Sequence, residues 1–121
     1  MMICIPTLDK WGLLSHVSTH FGKTSYFTFI KLENGNIKEI NAIESTGRHN
    51  GGSGVPTKLI LNSKVDLLIC GSLGRKAIST LRSNGIEVIS GASGKVKDVF
   101  NEWKVGMLPL ADENLCKNCK S

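Results

Sequence analysis

The 121-residue sequence lacks a long hydrophobic run, since no apolar stretch approaches the roughly 18 residues that a membrane-spanning helix needs. The first six residues also lack the basic residues of a signal peptide, and the apolar stretch there is too short for one. The sequence therefore predicts neither a membrane protein nor a secreted protein. We expect a location in the cytoplasm, where cysteines stay reduced.

Several motifs of enzymes and of nucleic-acid-binding proteins are absent as well. The sequence has no Gly-x-Ser-x-Gly motif, no Walker A motif and no pair of carboxylates at a catalytic spacing. Its 15 basic and 10 acidic residues give a formal charge of +5, but both signs are spread along the whole chain. No arginine-rich run alternates with aromatic residues. Hydrolase chemistry has no support, and we expect no nucleic-acid partner.

The composition suits one small domain. Hydrophobic residues make up 40% of the chain, which allows an ordinary core, and the length suffices for about one domain. Hydrophobic periodicity ends near Gly106. We therefore predict a single domain over residues 1–106, followed by a tail over residues 107–121.

The first half of the chain favours strands. A short apolar run at residues 3–5, stopped by Pro6, predicts the first strand, and residues 7–25 are expected to form a long connection without secondary structure. Residues 26–32 and 37–43 predict two further strands. The Asn34-Gly35 pair between them predicts a tight hairpin turn, because both residues accept positive φ angles.

The second half alternates between helix and strand. Helices are predicted over residues 55–63 and 75–84 and from Val96 to Trp103, where apolar residues follow helical spacing. Apolar runs at residues 65–70 and 86–89 predict buried strands. The order of elements predicts an α/β fold, with a mixed sheet and helices packed against it.

A glycine-dense loop lies over residues 45–54. Its glycines let the backbone approach a ligand closely, and the predicted helix that follows offers unpaired N–H groups and a partial positive charge. The loop is therefore either an anion-binding nest or a simple turn. Its glycines are Gly47, Gly51, Gly52 and Gly54.

Three histidines lie in the two longest predicted loops, His16 and His20 in the first and His49 in the second. In open α/β sheets, ligands gather outside the carboxyl ends of strands. If both loops meet there, the imidazoles share a small volume with Lys23 and Arg48, which suit an anionic ligand. The alternative is three solvent-exposed histidines without a common role.

The four cysteines fall into two pairs. Cys116 and Cys119 are spaced to hold a soft metal ion or to form a redox pair, although two thiolates supply only half of a tetrahedral site. Two idle thiols in a tail are the alternative. Cys4 and Cys70 lie in apolar strands and are predicted to be small core residues.

Four motifs in register resemble a known family. The motif His20-Phe21-Gly22-Lys23-Thr24-Ser25-Tyr26-Phe27 is similar to the His-Phe-Gly-x-x-x-Tyr-Phe signature of the dinitrogenase iron–molybdenum cofactor biosynthesis family. His49-Asn50-Gly51-Gly52-Ser53-Gly54 and Gly71-Ser72-Leu73-Gly74-Arg75-Lys76-Ala77 also match, although Arg75 replaces the family's proline. Asn84-Gly85-Ile86-Glu87-Val88 fits the segment before its last strand.

The resemblance implies a ribonuclease H-like fold with a five-stranded mixed sheet. It also implies a non-enzymatic protein that binds or carries an iron–sulfur or iron–molybdenum–sulfur cluster and exchanges it with donor and acceptor proteins. His20 is then the best candidate cluster ligand, His49 and the glycine-loop amides contact the anion, and Cys116 and Cys119 are candidate additional ligands. The cofactor-binding residues implied are His20, Phe21, Gly22, Lys23, Arg48, His49, Gly51, Gly52 and Gly54.

Two alternative functions stay open. Ribonuclease H-like folds often cut phosphodiesters with clustered carboxylates and two metal ions, which here would require Asp9, Glu44 and Asp66 to converge. The other alternative is an interaction module that binds zinc through Cys116 and Cys119.

Overall fold

The computed structural model describes residues 1–19, 24–44, 60–61 and 63–106. Five strands, two α-helices and one short 3-10 helix make up the described part of the chain. Their bounds are β1 Met2–Thr7, the 3-10 helix Gly12–Leu14, β2 Tyr26–Glu33, β3 Asn36–Glu44, β4 Leu67–Ile69, α1 Arg75–Ser83, β5 Glu87–Ile89 and α2 Val96–Lys104.

The strands form one mixed sheet in the order β3-β2-β1-β4-β5. Strand β2 runs antiparallel to β1 and β3, whereas β4 runs parallel to both β1 and β5. This confirms the predicted α/β fold and its mixed five-stranded sheet. The finer assignment to a ribonuclease H-like fold stays a prediction. No helix in the described ranges has both the length and the apolar character that crossing a bilayer requires.

The hairpin between β2 and β3 forms at the predicted residues. Asn34 has φ +56° and Gly35 has φ +82°, so both central residues of the turn lie in the left-handed region. Such turns match the twist of the flanking strands. The turn aligns β2 with β3, with one irregularity in register between Lys31 and Leu32.

Strand β1 continues through Pro6 to Thr7, so the prediction that Pro6 stops it is wrong. The backbone of Met1 exchanges hydrogen bonds with the backbone of Leu32 in β2. Counting from Met1, every second residue of β1 therefore points its backbone N–H and C=O groups toward β2, and the residues between them point theirs away. Pro6 therefore directs its nitrogen away from β2. Pairing with β4 ends at Cys4, and the missing N–H of Pro6 consequently breaks no ladder bond.

The connection after β1 is more ordered than expected. Residues 12–14 form a 3-10 turn, Val17 bridges back to Thr7, and His16 bridges to Lys95 just before α2. The prediction of a long connection without secondary structure is therefore wrong for its first part. The polar composition of this segment gave no sign of its ordered structure, because contacts with residues distant in sequence stabilise it.

The core has two layers, because alternate residues of the central strands point to opposite faces of the sheet. On one face, Cys4, Phe27 and Leu68 pack with α1. On the other face, Ile5 and Ile69 pack with α2. The buried stripes of both helices confirm their predictions; they are Ile78 and Leu81 in α1, and Val96, Val99 and Phe100 in α2. Ile60 and Leu61 are helical, in agreement with the prediction over residues 55–63.

Candidate functional site

The parallel strands β1, β4 and β5 end at Thr7, Ile69 and Ile89 on the same edge of the sheet, which we call the carboxyl edge. Strand β2 begins at this edge, because Tyr26 pairs with Thr7. Strand β3 ends there, because Glu44 pairs with Tyr26. The end of β3, which precedes residues 45–54, therefore lies beside the start of β2, which follows residues 20–23.

The predicted site residues themselves lie outside the described residues. The described neighbours nevertheless fix where their segments attach: one segment joins Thr19 to Thr24, and the other starts after Glu44. All three attachment points are at the carboxyl edge. The residues that stay predictions are His20, Phe21, Gly22, Lys23, Arg48, His49, Gly51, Gly52, Gly54, Cys116 and Cys119.

The chain is fixed by backbone contacts just before His20. The hydroxyl of Ser72, which lies in the turn between β4 and α1, donates a hydrogen bond of 2.9 Å to the carbonyl of Thr19. Gly71 packs so closely that an added Cβ would lie 2.8 Å from the carbonyl oxygen of Ser18 and 2.9 Å from Cα of Thr19. Only glycine permits this approach.

The chain is fixed again just after Lys23, by buried hydroxyls. The Thr24 hydroxyl lies 2.8 Å from the carbonyl of Thr7 and 3.0 Å from that of Tyr26. The Thr7 hydroxyl in turn lies 3.0 Å from the hydroxyl of Thr28 and donates to the carbonyl of Asp9 at 2.8 Å. Thr7 and Thr28 are fully buried, so the contact between their hydroxyls and the bond from Thr24 to Thr7 are shielded from water.

The side chain of His16 is half exposed and contacts Asp9. The carboxylate of Asp9 accepts a hydrogen bond from the backbone N–H of His16 at 3.0 Å, and its distance to Nδ1 is also 3.0 Å. The side-chain hydrogen bond, followed by the backbone bond, lowers the pKa of Asp9 below its ordinary 3.8. His16 thus closes the loop after β1, a different role from sharing a ligand site with His20 and His49.

Helix α1 begins at the carboxyl edge with two positively charged residues, Arg75 and Lys76. Arg75 and Lys76 are exposed, the first turn of α1 holds no acidic residue, and no side chain caps its N-terminus. Cations at a helix N-terminus face the positive end of the helix dipole, which is unfavourable unless an anion is near. The electrostatics at this end of α1 therefore favour an anionic guest.

The three carboxylates that a nuclease would need do not converge. Asp66 precedes β4 and accepts the backbone N–H of Met2 at 2.8 Å, which places it at the edge opposite to Asp9 and Glu44. The six residues of β1 separate the two edges by roughly 17 Å. Within the described ranges, no three His, Cys, Asp or Glu residues are grouped to hold a metal ion.

Cys4 and Cys70 belong to the core, as predicted. Both thiols are fully buried on the face covered by α1, Cys4 within β1 and Cys70 directly after β4. Burial, with a further contribution from Cys70, raises the pKa of the Cys4 thiol well above its usual range. A protonated, water-excluded thiol is a poor metal ligand. These residues therefore stay outside the candidate site.

Sequence reasoning missed the residues that fix the two attachments: Gly71, Ser72, Thr24 and Thr7. A glycine and a serine directly after a buried strand are a usable signal for a close backbone approach. Their partners were not visible, since Ser72 and Thr19 are 53 residues apart in the chain.

Two comparisons of the sequence with known proteins found related proteins. The family model described as dinitrogenase iron-molybdenum cofactor matches residues 1–106. A Methanocaldococcus jannaschii protein, MJ0580, is 34% identical over 97 residues, which cover 78% of this chain and 81% of the relative.

Solved structures share the fold. The crystal structure of PH0822 has a TM-score of 0.77 and 31% identity, covering 92% of this chain and 96% of that one. The Thermotoga protein TM1290 has a TM-score of 0.70 and 29% identity, with 90% and 91% covered. The apo orange protein from Desulfovibrio gigas has a TM-score of 0.77 at 20% identity, with 91% and 92% covered, and shows the fold alone. From the match of its residues 1–106, the chain belongs to the dinitrogenase iron-molybdenum cofactor family.

Proposed function

We propose that this protein binds or carries a metal–sulfur cluster, or an iron–molybdenum cofactor precursor, at the carboxyl edge of its sheet. One observation carries the proposal: the segments with His20 and with His49 both attach at this edge, one beside the other, through Thr24, Tyr26 and Glu44. Membership of the dinitrogenase iron-molybdenum cofactor family supports the choice of guest.

The chemistry of the proposed ligands suits an anionic, sulfide-bridged cluster. Imidazole of His20 supplies a metal ligand, and His49 with the glycine-loop amides supplies anion contacts. Lys23 and Arg48 add positive charge from the same segments, and Arg75 adds a cation from α1. A site of this kind holds its cargo by coordination and charge and needs no catalytic group.

Cys116 and Cys119 are proposed as an additional thiolate clamp. Nine residues lie between Gly106 and Cys116, and a segment of this length extends to at most roughly 35 Å. This exceeds the roughly 17 Å that separates the two edges of the sheet along β1, so the tail is long enough to span that distance. The alternative, a separate zinc site in the tail, stays a prediction.

We infer a binding protein rather than an enzyme, with donor and acceptor proteins of metal clusters as its partners in the cytoplasm. The separation of Asp66 from Asp9 and Glu44 removes the support for the nuclease alternative. Release of the cargo to an acceptor then requires an exposed site, which the edge of an open sheet provides.

Anaerobic reconstitution with iron, sulfide and molybdate, followed by absorption spectroscopy, tests the proposal. We expect visible charge-transfer bands in the wild type and their loss or shift in His20→Ala. His16→Ala is the matched control, because His16 lies in the same loop and removal of its imidazole leaves the hydrogen bond from its backbone N–H to Asp9 in place. A featureless wild-type spectrum, or identical spectra for wild type and His20→Ala, contradicts the proposal.

A further inference from the structure

Strands β1 and β4 pair over a short length and then separate toward the carboxyl edge. Their pairing joins Ile3 to Leu67 and Cys4 to Leu68, and β1 continues for three more residues. A second segment of the chain fills the space between the two strand ends. That segment is residues 17–19, which lead into His20.

This segment is bonded to both strand ends. On the β1 side, the N–H of Ser18 donates to the carbonyl of Pro6 at 2.8 Å. On the β4 side, the carbonyl of Thr19 accepts the hydroxyl of Ser72 at 2.9 Å. The residue before His20 is therefore held by a side chain from a different part of the sequence.

Gly71 sets how closely the segment approaches β4. A Cβ at this position would meet backbone atoms of Ser18 and Thr19 at 2.8–2.9 Å, and backbone cannot move aside as a flexible side chain can. Gly71 itself cannot retreat easily, since its carbonyl accepts the N–H of Gly91 at 2.6 Å. Any larger residue at position 71 must push residues 18–19 outward.

We propose that Gly71 and Ser72 are positioning residues for the cluster site: they fix Thr19 against the end of β4 and so set where the backbone enters His20. The expected effect on cluster binding rests on the proposed function. The position of Thr19, by contrast, is a property of the protein without a cluster. Residues that orient metal ligands typically change metal affinity by about 10- to 100-fold when removed.

The first experiment uses the apo protein and needs no cluster. Amide hydrogen exchange at Ser18, followed by NMR, reports whether the segment stays bonded to Pro6. We expect faster exchange in Gly71→Ala and Ser72→Ala, and wild-type exchange in Ser72→Thr, which restores the hydroxyl. Gly74→Ala is the matched glycine control, because an added Cβ there meets no atom within 4 Å and its φ is −69°.

The second experiment measures reconstitution with iron, sulfide and molybdate in the same variants, alongside their thermal unfolding. We expect Ser72→Ala to bind about tenfold less cluster, or to shift its absorption bands, with Ser72→Thr restoring both. If Ser72→Ala binds less cluster but unfolds at the same midpoint temperature as the wild type, the loss of binding comes from positioning and not from a general loss of stability. If Gly71→Ala fails to fold, the comparison of Ser72→Ala with Ser72→Thr is sufficient to test the positioning role.

The outcomes distinguish the two proposals. Wild-type exchange at Ser18 in Ser72→Ala overturns the positioning role, whatever the cluster data show. Equal binding and equal spectra in wild type and Ser72→Ala overturn it as well, while leaving the proposed function standing. A wild type that takes up no cluster contradicts the proposed function, and with it the consequence inferred here for cluster binding.

Discussion

The carboxylate of Asp9 holds His16 through both its backbone N–H and its Nδ1 atom, each at 3.0 Å, and thereby closes the loop that follows β1. The loop returns the chain to Thr7, where Val17 forms an antiparallel bridge. Residues 17–19 then continue along the carboxyl edge toward His20. The hydrogen bond from the His16 backbone N–H to Asp9 is therefore the first of several contacts that order the approach to the candidate site.

This contact makes stability depend on pH in the acidic range. The hydrogen bonds from His16 lower the pKa of Asp9 in the folded state, so the folded protein binds its proton less tightly than the unfolded chain does. The resulting stabilisation is present above the unfolded pKa of about 3.9 and is lost as the pH falls through the lower folded value. We expect Asp9→Asn to be less stable than the wild type at pH 7.

Thermal unfolding of both proteins between pH 7 and pH 3 checks this prediction. The difference between their midpoints is expected to narrow below pH 4. Glu87→Gln, which removes an exposed carboxylate from β5, serves as the control and is expected to follow the wild type. A difference that persists unchanged at pH 3 speaks against the ionised Asp9 as the source of the stabilisation.

The buried thiols give a second prediction. Cys4 and Cys70 are fully buried, so a reagent in solution cannot reach either thiol, and burial also raises the pKa of Cys4. In a Cys116→Ser/Cys119→Ser variant, we expect no alkylation by iodoacetamide at pH 8 in the native state and two modifications after unfolding. Mass spectrometry counts the adducts, and rapid native labelling of Cys4 is the contrary result.

The hairpin turn gives a third prediction, on stability. Gly35 has φ +82°, and a residue with a Cβ in the left-handed region costs about 1–2 kcal/mol. Gly35→Ala is therefore expected to lower the free energy of unfolding by about this amount. Asn34→Gly is the control, since Asn34 has φ +56° and glycine accepts that angle without strain. Equal stability of wild type and Gly35→Ala in urea unfolding contradicts the turn geometry.

The separated carboxylates give a fourth prediction, on activity. Because Asp66 lies at the opposite edge from Asp9 and Glu44, we expect no cleavage of a labelled RNA–DNA hybrid with Mg²⁺ or Mn²⁺. The measurement is a gel assay of the purified protein beside Asp66→Asn. Cleavage by the wild type that Asp66→Asn abolishes is the outcome that restores the nuclease alternative.

The features that the sequence predicted well are those that depend on near neighbours. The Asn34-Gly35 turn follows from the φ angles of two residues, and the buried stripe of α2 follows from helical spacing. The burial of Cys4 and Cys70 follows from the apolar residues beside them in the sequence. In each case, the physical cause lies within a few residues of the position that was predicted.

The features that it did not predict depend on pairing between distant segments. Whether Pro6 can stay in β1 depends on which side β2 binds, which no local pattern encodes. The fixing of Thr19 requires Gly71 and Ser72, more than 50 residues away in the chain. The family motifs predict which segments form the site, and the sheet topology places the described ends of those segments at one edge.

The metal and labile-sulfide content of protein purified without oxygen tests cluster binding most directly. We expect iron or molybdenum together with acid-labile sulfide in the wild type and in His16→Ala, and a loss of about tenfold or more in His20→Ala. Cys116→Ser/Cys119→Ser is expected to retain less metal than the wild type. Wild-type protein without labile sulfide, or with the same metal and sulfide content in His20→Ala, contradicts a cluster site at the carboxyl edge.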